Sequence, residues 1–205
     1  MSALDDRRRL EELYLPSADD FVLVDVPNLQ FVMIDGEGDP AGAAFAQASR
    51  WLFAVIYPIK RIAKQRMGKR YVEPPLEGLW WADDPTDFVE RRKNLWHWTM
   101  MIMAPDFIGR SLFDAAVEKS TKKLGAQPES LRLELLDEGR ALQILHIGSY
   151  DDEGPTLAKL HNDVMPSQSL TFSGPHHEIY LSDPHKTEPA KLKTILRQPV
   201  KPAGQ

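Results

Sequence analysis

Apolar positions along the chain switch between two spacings, and the switches divide it into strands and helices. Phe21-Val-Leu-Val-Asp-Val26 is β-branched and strand-like; a Pro27-Asn28 turn follows, and Gln30-Phe-Val-Met-Ile-Asp35 reads as a second strand stopped by Gly36-Glu-Gly38. Over 41–65 the period lengthens. Phe45, Ala48, Leu52, Val55 and Ile59 recur at three- and four-residue steps and form one helical stripe. Pro58 sits inside it and predicts a kink or helix end near Tyr57. Strands are predicted over Leu76–Ala82 and Asn94–Met103, then a helix over 107–124 with Gly125 as its C-cap. Leu131, Leu133 and Leu135 alternate with charges as a half-exposed strand, which Leu136-Asp-Glu-Gly139 turns back into a hairpin partner at Ala141–Gly148. An amphipathic helix covers Glu153–Met165 and a strand His176–Ser182; Ala190–Leu196 reads as a short helix or turn before Gln198-Pro199-Val200. A short polar helix, ending before Pro16, precedes them all.

Part of this order occurs twice. A strand, a Gly-containing loop and a helix lead to Pro75, the strand Gly78-Leu-Trp-Trp81 and Asp84-Pro85. The same succession later leads to Pro175, the strand Glu178-Ile-Tyr-Leu181 and Asp183-Pro184. Pro75 and Pro175, Leu79 and Ile179, and Trp80 and Tyr180 are each 100 positions apart. The pattern predicts an α+β domain over 21–200 after a 1–20 extension. Its pseudo-symmetric halves, about 21–105 and 130–200, are joined by the helix at 107–124. A cleft between two such units is a natural place for a small-molecule site.

Composition narrows the function. The 205 residues are 42% hydrophobic, enough for a core, and 25 Lys+Arg against 30 Asp+Glu give a net charge of −5. That balance argues against general nucleic-acid binding, which needs excess positive charge. The basic block Lys60–Arg70 reads as a solvated helix end, or as a surface for an acidic partner or nucleic acid. No cysteine is present, which removes disulfides, thiol catalysis and thiolate metal sites. The six histidines form no H-x-x-x-H or H-E-x-x-H pattern, so neither a metal nor a cofactor is expected. Phosphate-binding glycine loops and a G-x-S-x-G nucleophile elbow are missing as well. No secretory signal or spanning helix is visible, so a cytoplasmic protein is expected, as monomer or homodimer.

Glu178 is the sharpest chemical candidate. Alternation puts Glu178 and Tyr180 on one face of their strand and His177, Ile179 and Leu181 on the other. In an apolar cleft its pKa would rise, and it would serve as a general base toward water or bind a cationic ligand. On residue type alone the plainer reading is a solvated carboxylate on an open sheet face. Tyr180 would donate to a ligand oxygen, and Tyr57 would do so from its helix; each also reads as a structural hydroxyl. Of five tryptophans, Trp80, Trp81, Trp96 and Trp98 fall on two strands. Trp96 and Trp98 share a face with indoles about 7 Å apart, a surface for a flat hydrophobic or cationic ligand or, alternatively, an aromatic core layer.

The stretch Pro175-His-His-Glu-Ile-Tyr-Leu-Ser-Asp-Pro184, with Glu77-Gly-Leu-Trp-Trp81 and the tail Lys191-Leu-Lys-Thr-Ile-Leu-Arg-Gln-Pro-Val200, resembles the GyrI-like small-molecule-binding family. That family takes in gyrase-inhibitory proteins and the effector-binding domains of multidrug-sensing regulators. Glu77-Gly-Leu-Trp-Trp81 and that tail resemble its stand-alone branch; a departure from the regulators is expected, because twenty leading residues are too few for a helix-turn-helix. The resemblance implies duplicated βαββ units (SHS2-like modules), an antiparallel sheet with helices on one side and a central aromatic ligand cleft holding a carboxylate, here Glu178. It also implies hydrolysis of electrophilic, cyclopropane-bearing DNA-alkylating natural products of the duocarmycin type. Sequestration of hydrophobic or cationic drugs without turnover, and protein-directed topoisomerase inhibition, are the alternatives.

Overall fold

In the computed structural model the described residues are 7–67 and 74–204. The chain forms an α+β fold in two compact units, and among the described residues nine strands pair antiparallel. One comprises residues 1–28 and 137–205, the other 29–136.

The 29–136 unit is a four-stranded sheet in the order β3–β4–β2–β5: β2 (Leu29–Glu37), β3 (Leu76–Trp81), β4 (His97–Met103) and β5 (Arg132–Leu136). Helix α2 (Ala43–Met67) follows β2, the short α3 (Thr86–Val89) follows β3, and α4 (Arg110–Leu124) follows β4. The stripe on α2 is the buried one: Ala48, Leu52, Val55 and Ile59 are all nearly inaccessible. Phe45 continues it onto the sheet, stacking on Trp80 at 5.9 Å and meeting Trp98 edge-on at 5.5 Å. Gly36 is required beneath Trp98, because a Cβ there would lie 2.2 Å from its ring.

The helix does not end at Tyr57 but runs through Pro58 to Met67. A proline withholds the N–H that the carbonyl four residues earlier would accept. That carbonyl belongs to Ala54, and the Ser120 hydroxyl of α4 donates to it at 2.9 Å. The interhelical contact thus supplies the bond that the sequence takes away. Ser120→Ala should destabilise the protein by about 1 kcal/mol through loss of the hydrogen bond to a partly buried carbonyl, measurable as a lower urea midpoint at unchanged m-value. Part of the predicted basic block, residues 68–70, lies outside the described residues.

The other unit orders its strands β1–β6–β9–β8, with β7 beside β9: β1 (Val22–Val26), β6 (Gly139–Ile147), β7 (Leu170–Phe172), β8 (His176–Tyr180) and β9 (Lys193–Pro202). Helix α1 (Arg7–Tyr14) precedes β1. Between β6 and β7, α5 (Gly154–Lys159) passes through a π-helical turn (Leu160–Val164) into α6 (Met165–Ser167). Each unit therefore contains strand–helix–strand–strand with the last strand seated between the first two, β2–α2–β3–β4 and, with β7 inserted after the helix, β6–α5/α6–β8–β9.

Two expectations are corrected. The Leu136–Gly139 turn does not make a hairpin: β5 pairs with β2, and β6 pairs with β1 and β9. β6 is buried on both faces and needs two partners, whereas half-exposed β5 takes one edge. Residues 190–196 are not a helix; after a 3-10 turn at Pro189–Lys191 they enter β9, a central strand. The spacing of Leu192, Ile195 and Leu196 imitates a helix, but pairing with β6 on one side and β8 on the other overrides it.

Candidate functional site

The register of β8 on β9 sets what each face carries. Glu178 lies opposite Leu196 and Tyr180 opposite Thr194, while His177 and Ile179 point the other way and are fully buried. On that reverse face a polar network ties α1 to the sheet. Glu138, on the turn into β6, receives His177 Nδ1 at 2.7 Å and Arg197 Nη1 at 3.2 Å. Arg197 also donates through Nε to Gln143 and through Nη2 to the Leu13 carbonyl, and Gln143 donates to the Glu12 carbonyl. Burial alone would raise the Glu138 carboxyl; His177 and Arg197 instead hold it at about 2.

The face with Glu178 is also covered. At one end Leu142, Leu160, Met165 and Val200 pack into an apolar cluster under the helix. At the other end it is polar. The Tyr180 hydroxyl donates to Glu178 Oε2 at 2.8 Å, and His176 Nε2 stands 3.7 Å from Oε1. The side chain of Glu178 is only 16% exposed. Burial pushes its carboxyl up to about 7, with the Tyr180 hydrogen bond and His177 pulling the other way. A carboxyl group poised there accepts a proton near neutral pH.

Two residues that sequence reasoning did not single out join this end. Gly148, with φ of +153°, ends β6, and its N–H donates to the Leu192 carbonyl. The 3-10 turn Tyr150–Asp152 then brings the Tyr150 ring edge-on to Tyr180 at 5.8 Å. Burial, then Glu178, Glu153 and Asp183, push the Tyr150 phenol up to about 12, so it stays a donor. Glu153, at the start of α5, is 5% exposed and its Oε1 has no hydrogen-bond partner. Burial, then Glu178 and Asp151, push its carboxyl up to about 10. The available signal was a Tyr-Asp-Asp-Glu run one residue after the glycine that ends a strand. His176 is held neutral, down to about 3, first by burial and then by His161 and His177. Among the described residues no group of three or more His, Asp or Glu could hold a metal ion.

The predicted aromatic residues sit in the other unit, and the structure sorts them. Trp80 and Trp98 face each other in register and are buried beneath α2 with Phe45. Trp96 lies at their rim, edge-on to Trp80 and over Phe88, and its Nε1 donates to the Asp87 carbonyl. Trp81 is on the opposite sheet face, stacked on His97 at 5.8 Å. Trp81 and Trp96 are the two of these four that are half-buried rather than buried. Tyr57 is exposed on α2, in a shallow groove against α4 with Arg61, Lys119 and Lys123.

The protein-family model for the GyrI-like small-molecule-binding domain matches residues 19–201. No curated protein matches the chain. Among solved structures, a conserved protein from Listeria innocua is 35% identical with a TM-score of 0.85, and a hydrolase from Listeria innocua is 33% identical with a TM-score of 0.79. In both cases 95% of this chain and 98% of the other are covered. The C-terminal domain of EcmrR, at 12% identity and a TM-score of 0.55 over 90% of this chain and 98% of that one, shares the fold. No described helix is long and apolar enough to cross a membrane.

Proposed function

The chain belongs to the GyrI-like small-molecule-binding family, and from that premise we propose that it hydrolyses electrophilic, cyclopropane-bearing molecules of the DNA-alkylating type, with Glu178 as the base. One observation carries this reading: a mostly buried carboxyl group, hydrogen-bonded by a tyrosine at 2.8 Å, with a second tyrosine against the first. The similarity to a Listeria innocua hydrolase supports it.

In this reading the residues divide the labour. Tyr180 spends its hydroxyl on Glu178 and fixes the carboxylate's orientation. Glu178 takes a proton from water as the water oxygen bonds to the cyclopropane methylene. The strained C–C bond breaks and its electron pair moves through the conjugated dienone to the carbonyl oxygen. Tyr150, with no hydrogen bond to Glu178 and a phenol that keeps its proton, steadies that oxygen.

The test is incubation with a duocarmycin-type spirocyclopropyl dienone and mass spectrometry for a product heavier by one water. Trp quenching with no product would leave binding alone. Because Glu178 must be ionised to act, turnover at saturating substrate should rise through about pH 7. A flat profile from pH 5 to 8 would remove the carboxylate from the proton transfer.

A further inference from the structure

Glu178 has a second carboxyl group for company, and the site gives it different work. Tyr150 and Glu153 are three residues apart in one continuous helical turn, so their side chains leave the same side of it. Tyr150 rests against Tyr180, which holds Glu178. Glu153 is thereby brought to the polar end of the face, almost wholly buried, with one oxygen unpartnered. An ionised carboxylate in that position is costly, and a buried polar atom without a partner calls for an explanation. The groups that act on it are Glu178 from β8 and Asp151 from its own turn; both are acids. Tyr180 and Tyr150 beside them carry no positive charge, and Asp183, beyond β8, adds a further negative charge at Tyr150.

We propose that Glu153 is the proton donor of the reaction, paired with Glu178 as base, and that it delivers its proton to the carbonyl oxygen on which ring opening places the electron pair. This rests on the hydrolytic reading above. In the step, Glu178 takes one proton from water, the new C–O bond forms at the ring methylene, and the ring C–C bond breaks. The released pair reaches the carbonyl oxygen, which takes the Glu153 proton. The product is a neutral phenol carrying a hydroxyethyl arm. Passage of one proton from Glu178 back to Glu153 restores both, so water and substrate account for every atom. The environments support this division. Glu153 is the more deeply buried and has an oxygen without a hydrogen-bond partner, which favours its protonated form, whereas the Tyr180 hydrogen bond and His177 favour an ionised Glu178. A strained hydrocarbon ring with no atom to receive the proton gains nothing from such a pair.

Spiro[2.5]octa-4,7-dien-6-one is the minimal probe, with phenol formation above the uncatalysed rate as the readout. Glu153→Gln should lower kcat by about 10²–10³ with KM changed only a few-fold, and Glu153→Asp should recover part of it. The wild-type profile should fall on the alkaline side as Glu153 ionises, and that limb should vanish in Glu153→Gln. Carbon-13 labelling of glutamate should show one carboxyl, absent from Glu153→Gln, still protonated at pH 8. An ionised Glu153 at pH 7, or an unimpaired Glu153→Gln beside an active wild type, overturns the donor assignment and leaves the hydrolytic reading standing. A wild type inert toward both this probe and the duocarmycin-type compound overturns the two together. Should the Gln variant fail to fold, the Asp variant and the titration decide.

Discussion

Glu178→Gln is expected to abolish hydrolysis of a cyclopropane-bearing substrate by about 10²–10⁴ in kcat while ligand binding survives. The amide keeps the size of the carboxyl and still accepts the Tyr180 hydroxyl, so the local geometry persists. What disappears is an atom able to take a proton from water. The same variant should be more stable than the wild type in mild alkali. In the fold the carboxyl is pushed up to about 7 from 4.5, so between those values the folded chain retains a proton that the unfolded chain has released. Stability is therefore drained as pH rises through that window, and the cost is complete above about 7. Urea midpoints at pH 4 and pH 8 measure it: the variant should gain on the wild type only at the higher pH. A variant that retains full turnover, or gains equally at both pH values, contradicts a buried base at this position.

The second large effect is expected on the reverse face of the same strand. Arg197→Met should cost about 3–5 kcal/mol, because it leaves the Glu138 carboxylate buried and strips bonds from Gln143 and the Leu13 carbonyl. Against a total stability of about 5–15 kcal/mol, that is a large share. The wild-type network also has a pH signature. Glu138 is held at about 2 against an ordinary 4.5, so its contribution is full above 4.5 and is lost as pH falls from there toward 2. Arg197→Met should make that acid limb shallower without removing it, because His177 still holds Glu138, as read by thermal unfolding between pH 2 and 6. An unchanged midpoint would mean that the network is not what anchors α1 to the sheet.

Much of this was legible from the order of residues. The helical stripe of α2, the strands β1 to β4 and the two faces of β8 follow from spacing alone, because side-chain direction repeats every 2.0 residues in a strand and every 3.6 in a helix. That placed Glu178 and Tyr180 on one face, and the structure joins them by a hydrogen bond. The family also showed in short stretches around Glu178, Trp80 and the C-terminal tail.

Local pattern misled where a distant partner decided the outcome. Pro58 reads as a stop because the sequence shows a missing N–H but not the Ser120 hydroxyl that replaces it. Residues 190–196 carry a helix-like spacing, yet β6 and β8 offer a ladder on each side. Glu153 passed for a helix start and Tyr150 drew no notice, because their nearness to Glu178 arises only when β6, β9 and β8 are in register. The chain alone thus determined which side chains share a strand face or helix stripe, a matter of backbone geometry over a few residues. Tertiary structure alone decided which carboxyl groups lie buried together and which tryptophans keep open surface, since desolvation and charge coupling depend on neighbours from remote parts of the sequence.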